Sequence, residues 1–253
     1  MPTLARISTT PIKSLLLHHP DEILLEPFGV ACDRRFYLIR EDGRLLAGLH
    51  HGPLALVRAD WDQAPDRLTL TFPDGEVVED DVLLTEPVLT DFWGHRVGGR
   101  LVEGPWEEAL SAYAGRSVRL VKADLPAGGV DVEPLTLVSS ESIAELARQA
   151  GFDSVDGRRF RMLLELEGCE PHEEDTWSGL RLGEAVLEIG GPVPRCATTT
   201  RDPRTGKRDF DTLREIAAYR GKRDGKKVDF GVYARVVEPG RVHVGDPVEP
   251  EPK

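Results

Sequence analysis

The first half of the chain alternates short hydrophobic stretches with turn residues, a pattern typical of antiparallel strands. Turns such as Glu41-Asp42-Gly43 and Pro73-Asp74-Gly75 separate these stretches, because Asp and Gly accept the backbone angles of tight turns. Short strands at this spacing predict an antiparallel sheet or a β-barrel-like domain. The predicted strands are Leu4–Thr9, Glu22–Glu26, Phe36–Arg40, Leu54–Ala59 and Leu68–Phe72, and one helix is predicted over Trp106–Tyr113.

The second half mixes strands with helices. Two helices are predicted here, and both begin at residues whose side-chain oxygens can cap a helix. They run from a cap at Ser139 or Ser140 to Gln149, and over Thr212–Tyr219 with Asp211 as the cap. The predicted strands are Leu135–Val138, Arg161–Glu167, Leu180–Leu182, Ala185–Ile189, Cys196–Arg201, Val228–Val237 and Arg241–Val244. We therefore predict an α+β fold that is mostly β, with its boundary at Val130 to Pro134 and domains over residues 1–125 and 126–253.

The net charge, the apolar stretches and the cysteines of the chain indicate which partners and which cellular compartment to expect. The formal net charge is −12, and an acidic surface repels phosphate backbones, so we expect no nucleic-acid partner. No apolar run approaches the ~20 residues of a membrane span or forms a signal-peptide core, so we expect no membrane association. The three cysteines, Cys32, Cys169 and Cys196, include no C-x-x-C pair, which predicts neither a disulfide framework nor a zinc knuckle. A reducing cytoplasm is the expected location.

Cys196 is the first candidate for chemistry. It follows Gly190-Gly191-Pro192-Val193-Pro194-Arg195, where two glycines and two prolines predict an irregular backbone. A cation close to a thiol, here the neighbouring Arg195, favours the thiolate, which ligates metals or attacks electrophiles. Thiolates also suit soft or high-valent metal centres. A small buried hydrophobic residue is the alternative interpretation of Cys196, and for Cys169, which is followed by Glu170, a structural or exposed thiol is expected.

Several cationic positions could bind an anion. Lys13 and Ser14 offer a cation and a hydroxyl donor, a usable pair for one phosphate group, although a solvent-facing loop lysine is the alternative. In Asp33-Arg34-Arg35-Phe36 the planar arginine fork suits phosphate, although a surface ion pair is the alternative. Strand alternation would place Arg159 and Arg161 on one face, and an arginine facing inward there would need an anion.

The order of the motifs is more specific than any one of them. No G-x-G-x-x-G, Walker-type, H-E-x-x-H or G-x-S-x-G motif is present. The motifs that are present are Pro11-Ile12-Lys13-Ser14, Asp33-Arg34-Arg35-Phe36, Phe160-Arg161, Glu174-Asp175-Thr176-Trp177, Arg195-Cys196-Ala197-Thr198-Thr199, Asp202-Pro203-Arg204-Thr205-Gly206, Phe230-Gly231-Val232-Tyr233, Pro239-Gly240 and Val244-Gly245-Asp246-Pro247-Val248. Over nearly the whole chain this series resembles the MOSC family, named for the C-terminal domain of molybdenum cofactor sulfurases. The first half is similar to the β-barrel domain that precedes MOSC in the mitochondrial amidoxime-reducing component and its bacterial relatives.

The resemblance implies a fold and a set of site residues. Residues 1–125 are expected to form the N-terminal MOSC-type β-barrel domain, and residues 126–253 a MOSC β-barrel with a few peripheral helices. Cys196 matches the cysteine that ligates molybdenum in a molybdopterin-type cofactor. The residues that match cofactor-binding positions are Lys13, Ser14, Arg34 and Arg161, which hold the pterin's phosphate and ring, and Tyr233, which lies near the same site.

The chain also departs from the family pattern around the expected substrate pocket. Relatives often have Phe-Arg-Pro-Asn where this chain reads Phe160-Arg161-Met162-Leu163. They often carry a Thr-Gln-Arg-like stretch where it reads Ala47-Gly48-Leu49-His50-His51. Pro194 stands where the mitochondrial relative has a serine.

Three functional hypotheses follow from the reactive cysteine and the resemblance. The first is a molybdenum-dependent reductase of N-hydroxylated or related N–O or S–O compounds, supplied with electrons by a separate flavin or iron–sulfur partner because the sequence contains neither motif. The second is a sulfur transferase that carries a persulfide on Cys196. The third is a non-catalytic carrier that binds the cofactor and hands it over.

Overall fold

The computed structural model describes residues 1–48 and 50–253, and this part of the chain is built mostly of strands with three α-helices. The strands are β1 (Thr3–Ile7), β2 (Glu22–Leu25), β3 (Phe36–Ile39), β4 (Arg58–Gln63), β5 (Asp66–Thr71), β6 (Val77–Asp81), β7 (Leu83–Phe92), β8 (His95–Glu103), β9 (Arg119–Ala123), β10 (Leu135–Ser139), β11 (Leu164–Glu167), β12 (Trp177–Leu182), β13 (Ala185–Pro194), β14 (Asp229–Glu238), β15 (Gly240–His243) and β16 (Val248–Pro252). The helices are α1 (Trp106–Ala114), α2 (Ser140–Ala150) and α3 (Thr212–Arg220). The predicted fold class, α+β and mostly β, is confirmed, and a curled half-barrel sheet fits the predicted N-terminal barrel.

The largest sheet draws strands from both ends of the chain. Its seven strands lie in the order β1-β11-β10-β14-β13-β12-β16. The first strand is antiparallel to β11, with Leu4 opposite Leu166, and β2 pairs with β15 in the same way. The division into residues 1–125 and 126–253 stays a prediction, and β1 and β2 cross it because their partners lie in the second part.

The remaining strands enclose a separate core in the first half. A four-stranded sheet has the order β3-β9-β8-β7, and a three-stranded sheet has the order β4-β5-β6. Helix α1 packs its apolar side into the core between these sheets, which includes Phe36 of β3 and Leu120 of β9. Its fully buried Trp106 also donates from Nε1 to the Leu68 carbonyl at 3.0 Å, so the indole is paired as well as packed.

Three predicted strands are wrong, and all three corrections lie near the loops that form the candidate site. The first half of Leu54–Ala59 belongs to a 3₁₀ helix over Gly52–Leu56, because Pro53 favours the first turn of a helix, and β4 begins only at Arg58. Arg161 has φ +54° and follows a 3₁₀ helix, so the strand starts at Leu164 and the proposed alternation of Arg159 and Arg161 fails. Cys196–Arg201 contains a 3₁₀ helix over Ala197–Thr200.

A buried carboxyl group organises the start of α2. Of the two predicted caps, Ser139 and Ser140, the structure shows Ser139, because its Oγ accepts from the Ser142 amide at 3.1 Å. Glu174 is fully buried and accepts from the hydroxyls of Ser139 at 3.0 Å and Ser142 at 2.9 Å. Burial raises the pKa of Glu174, against the opposing effect of these hydrogen bonds. The network joins the 3₁₀ helix over Glu173–Thr176 to α2.

Within the described residues no helix is both long and apolar enough to cross a membrane.

We expect Leu4→Ala to lower the free energy of unfolding by about 2–5 kcal/mol, because Leu4 is fully buried on β1 within the seven-stranded sheet. Leu24→Ala is the matched control, since Leu24 lies on β2 but is 44% exposed, and it should change that free energy by less than about 0.5 kcal/mol. Urea denaturation measures both. Equal effects of the two substitutions would show that β1 is not integral to the sheet.

Candidate functional site

One cavity of about 150 Å³ brings together all six residues selected from the sequence. They come from segments that are far apart in the chain, and the cavity is lined by Lys13, Ser14, Arg34, Arg161, Cys196 and Tyr233. The first three lie in loops of the first half, and the last three in the second half. Because β1 pairs with β11, the loop that follows β1 reaches the segment that precedes β11.

Lys13 is a buried cation with a carboxylate partner that was not predicted. Its Nζ donates to the Gly129 carbonyl at 2.8 Å and lies 2.9 Å from Asp131 Oδ1. The ammonium also lies 5.4 Å from the centre of the Phe92 ring. Burial lowers the pKa of Lys13, while Asp131 opposes that shift. A solvent-facing loop lysine, the alternative interpretation, is therefore wrong, because the side chain is only 8% exposed.

Ser14, Arg34 and Arg161 share an unusual backbone conformation. Their φ angles are +77°, +48° and +54°, in the left-handed region that residues with side chains rarely adopt. Ser14 Oγ accepts from the Gly48 amide at 2.8 Å, and Arg34 Nη2 donates to the Arg161 carbonyl at 3.0 Å. Strained backbone of this kind concentrates at functional sites, where the surrounding structure holds it in place.

Arg161 carries a buried positive charge that is hydrogen-bonded to a neutral group. Its Nη2 donates to the Leu15 carbonyl at 2.6 Å. Burial and, to a lesser extent, the nearby Arg34 guanidinium lower the pKa of Arg161 to about 9, against the opposing effect of Asp33 and Asp131. The group is still protonated at neutral pH. A buried cation next to another cation is stabilised by an anion, so the local electrostatics favour an anionic ligand.

Arg195 is next to Cys196 in sequence, and both residues line the cavity. Its Nη1 donates to Met162 Sδ at 3.1 Å, and its Nη2 donates to the Phe160 carbonyl. Within the described part of the chain its Nε is buried without a hydrogen-bond partner. Burial lowers the pKa of Arg195, whereas Cys196 and Tyr233 act to raise it. The predicted cation beside the thiol is therefore present in space as well as in sequence.

Cys196 differs from the other two cysteines in its exposure. It lies just before the 3₁₀ helix over Ala197–Thr200, and its Sγ–H donates to Thr198 Oγ1 at 3.3 Å. Cys196 is exposed, whereas Cys169 is buried and Cys32 is partly buried. Burial and the neighbouring Glu141 raise the pKa of Cys169 to about 12, and burial also raises that of Cys32. Cys196 is thus the accessible thiol, and the buried-hydrophobe interpretation does not apply to it.

Tyr233 reaches the cavity from the middle of β14, where it lies opposite Thr136 of β10. Burial raises the pKa of its hydroxyl, and Arg195 acts in the opposite direction. The phenol is therefore neutral at physiological pH.

The sequence gave no functional role to three further residues that line the cavity. These are Trp93, Asp131 and Thr198. Trp93 Nε1 donates to Asp131 Oδ1 at 2.8 Å, so one carboxylate oxygen serves both Trp93 and Lys13. Arg159 was considered only through the strand alternation that the structure overturns, and it pairs with Asp209 at 3.1 Å. Asp131 precedes the predicted strand Leu135–Val138, but nothing in its local sequence indicates that it pairs with Lys13 or Trp93.

The cavity therefore combines an accessible thiol with several buried cations. Its cationic lining residues are Lys13, Arg34, Arg159, Arg161 and Arg195, and its carboxylates are Asp131 and Glu133. Such a site can hold an anionic group through charge-assisted hydrogen bonds, and it can present a sulfur ligand to a soft metal or an electrophile.

Family models match both halves of the chain. Residues 1–102 match the model of the MOSC N-terminal beta barrel domain, and residues 99–249 match that of the MOSC domain. The YUAD protein from Bacillus subtilis superposes with a TM-score of 0.50 at 13% identity, and the match covers 100% of this chain and 97% of that structure. At that identity the likeness shows a shared fold.

Relatives of known name are similar at moderate identity. Molybdenum cofactor sulfurase of Caenorhabditis briggsae is 28% identical over 259 residues, 95% of this chain and 35% of that protein. Mitochondrial amidoxime-reducing component 1 of Homo sapiens is 34% identical over 125 residues, 47% of this chain and 37% of that protein. The chain spans little more than a third of the length of these two relatives. Mitochondrial amidoxime reducing component 2 of Bos taurus is 28% identical over 247 residues, 85% of this chain and 72% of that protein.

We expect inorganic phosphate to stabilise the protein through the cluster of cations in the cavity. At a concentration about tenfold above its Kd, one bound phosphate should add about 1–2 kcal/mol to the free energy of unfolding, which thermal denaturation detects as a rise in Tm. Arg161→Ala should remove most of that rise, because the Arg161 guanidinium lines the cavity and has no carboxylate hydrogen-bond partner among its described contacts.

Arg181→Ala is the control for loss of one arginine, since Arg181 is exposed on β12, and chloride at equal ionic strength is the control for screening. An equal phosphate-dependent rise in the wild type and in Arg161→Ala would contradict anion binding at this cavity.

Proposed function

Because the chain belongs to the MOSC family, we propose that it is a molybdenum-cofactor-dependent reductase of N-hydroxylated or related oxygenated small molecules. The observation that carries the proposal is the convergence on one cavity of Cys196 and the five residues that we predict to bind the cofactor. Relatives named for amidoxime reduction support this activity, while a relative named molybdenum cofactor sulfurase supports the cofactor and also the sulfur-transfer alternative.

The residues in the cavity fit a molybdopterin-type cofactor. An exposed thiol suits the metal, and buried guanidinium and ammonium groups suit a phosphate. The buried Nε atoms of Arg159 and Arg195, which have no hydrogen-bond partner within the described residues, add donors that an anionic or polar ligand could satisfy. We propose that Cys196 ligates the molybdenum.

The residues at one part of the cavity are suited to bind the anionic part of the cofactor. The Arg34 guanidinium donates to the backbone carbonyl of Arg161, and both arginines line the same cavity, so we assign their guanidinium groups to an anionic group of the ligand. Ser14, held by the Gly48 amide, keeps its hydroxyl hydrogen available as a donor because its oxygen is the acceptor of that bond. We assign these three residues, with Lys13, to the phosphate and ring of the pterin.

The remaining groups of the site orient the reacting centre. Arg195 is next to Cys196 in the chain and lines the same cavity, and Thr198 Oγ1, which accepts from the Cys196 Sγ–H, can also donate a hydrogen bond. Tyr233 contributes a neutral phenol at the same cavity. When bound, the cofactor supplies the redox chemistry that reduces an N–O or S–O bond.

Electrons would come from a separate flavin or iron–sulfur protein. Iron–sulfur clusters are held by about four cysteines, and this chain has three, of which Cys169 is buried beside acidic residues. A small-molecule substrate and a cytoplasmic location complete the proposal.

Metal analysis of protein expressed in cells that make the molybdenum cofactor tests the ligand directly. We expect about one molybdenum per chain in the wild type and a loss of roughly tenfold or more in Cys196→Ala, because the sulfur ligand is gone. Cys32→Ala is the matched control, since it removes a partly buried thiol away from the cavity lining and should keep its metal.

Turnover with amidoximes and an artificial electron donor then separates the alternatives. A metal-loaded wild type that reduces none of these compounds would favour a cofactor carrier. A persulfide on Cys196, found by mass spectrometry in metal-free protein, would favour sulfur transfer. Metal-free wild type under conditions that load a known molybdoenzyme would refute the reductase proposal.

A further inference from the structure

The side chain of Trp93 is exposed, yet a hydrogen bond to Asp131 fixes its orientation. It lies at the tip of the hairpin between β7 and β8, and its partner in the two-residue turn is Gly94. The indole lines the cavity and is 58% exposed, while its Nε1 donates to Asp131 Oδ1 at 2.8 Å. Because Asp131 also pairs with the buried Lys13, the edge of the indole is tied to the interior of the site.

The turn itself disfavours tryptophan. Trp93 and Gly94 have φ angles of +55° and +105°, the combination of a turn that normally takes Asn or Asp followed by Gly. A bulky residue with positive φ is strained, and an exposed indole forgoes burial of its apolar surface. Packing and local stability therefore do not explain this residue. Strain of this kind at the rim of a site indicates a role in ligand binding.

The neighbours of Trp93 at the cavity define the chemistry that it would recognise. Val132, Pro194 and Tyr233 contribute apolar surface there, and Val132 is 62% exposed. These groups offer flat or apolar contacts, whereas the cations serve anionic groups. An indole that is fixed by its N–H edge presents its face to a ligand at little entropic cost, and such a face favours a flat conjugated ring.

We propose that Trp93 is a ligand-binding residue that stacks against a flat conjugated ring at the mouth of the cavity, and that Asp131 is the positioning residue that fixes the indole. Under the proposed function, on which the choice of ligand rests, the ring has two sources. One is the pterin of the cofactor, and the other is an aromatic substrate.

Three variants test the inference. Trp93→Asn places a residue that suits the turn, so it should maintain or raise Tm while it removes the stacking surface. Trp93→Phe keeps an aromatic face but loses the hydrogen bond to Asp131, and it should partly restore binding. Phe152→Asn is the matched control, because Phe152 is a 52% exposed aromatic residue that lines a different cavity.

Two measurements on protein from cofactor-producing cells distinguish the sources of the ring. If the ring is the pterin, Trp93→Asn should retain less pterin and less molybdenum per chain than the wild type. If the ring belongs to the substrate, cofactor content should be unchanged. In that case kcat/KM should fall about 3- to 10-fold more for benzamidoxime than for acetamidoxime, which has no ring.

A binding titration gives an answer that does not depend on turnover. Free pterin-6-carboxylate and benzamidine are added separately to the isolated protein, and tryptophan emission is compared between the wild type and Trp93→Asn. Trp106 and Trp177 are buried and Trp61 is partly buried, so the difference in emission between the two proteins reports mainly on Trp93, and isothermal titration calorimetry measures the affinity of each protein. We expect at least one ligand to quench the wild type and to bind Trp93→Asn about 3- to 10-fold more weakly.

Equal affinity of both proteins for both ligands, with equal pterin content, would overturn the role of Trp93. So would a wild type that binds neither ring. If a ring binds in a Trp93-dependent way but no oxygenated substrate is reduced, the inference holds and the proposed reductase function fails.

Discussion

The candidate site depends on a pair of hydrogen bonds that tie a segment of the second half to loops of the first. Arg34 donates to the Arg161 carbonyl at 3.0 Å, and Arg161 donates to the Leu15 carbonyl at 2.6 Å. Each bond joins a cation to a neutral acceptor, while Arg34 also pairs with Asp33 and Lys13 pairs with Asp131, so the positive charge of the site is only partly compensated. Burial lowers the pKa of both Arg161 and Lys13, and the Arg34 guanidinium lowers each further. The chain thereby folds around a cluster of cations whose mutual repulsion Asp33 and Asp131 reduce, and which a bound anion would reduce further.

The environment of each group decides its chemistry more than the residue type does. Cys169 and Cys196 carry the same thiol, yet Cys169 is buried among Glu141, Glu173 and Glu174 and resists ionisation, while Cys196 is exposed beside Arg195. Lys13 and Arg161 are likewise both buried cations. Lys13 has Asp131 as a close partner, whereas the guanidinium of Arg161 donates to the Leu15 carbonyl, a neutral acceptor. The two cations therefore differ in how far their charge is compensated within the site.

Much of the fold could be predicted from the sequence, because hydrophobic alternation and helix caps are local signals. The helices at Trp106, Ser140 and Thr212 begin where they were expected. Strands β6 to β9 were not predicted, since β6 and β7 are largely exposed and lack a clear apolar face. The six site residues were selected from ordered motifs and from the family resemblance, and they do line one cavity. Asp131 and Trp93 were not predicted as site residues. The hydrogen bond that links them joins residues 38 positions apart, and no local sequence pattern indicates such a contact.

The pairing of β1 with β11 also has a consequence during synthesis. The ribosome releases β1 first, but its partner strand ends at Glu167, 160 residues after Ile7. At about 5–20 residues per second, β1 therefore waits on the order of 8–30 s before its partner exists. During that interval Leu4 and Ile7, which are fully buried in the finished protein, have no sheet to enter. The Lys13 loop that follows β1 consequently reaches its final place only when translation of the second half is well advanced, and the site is among the last features of the molecule to form.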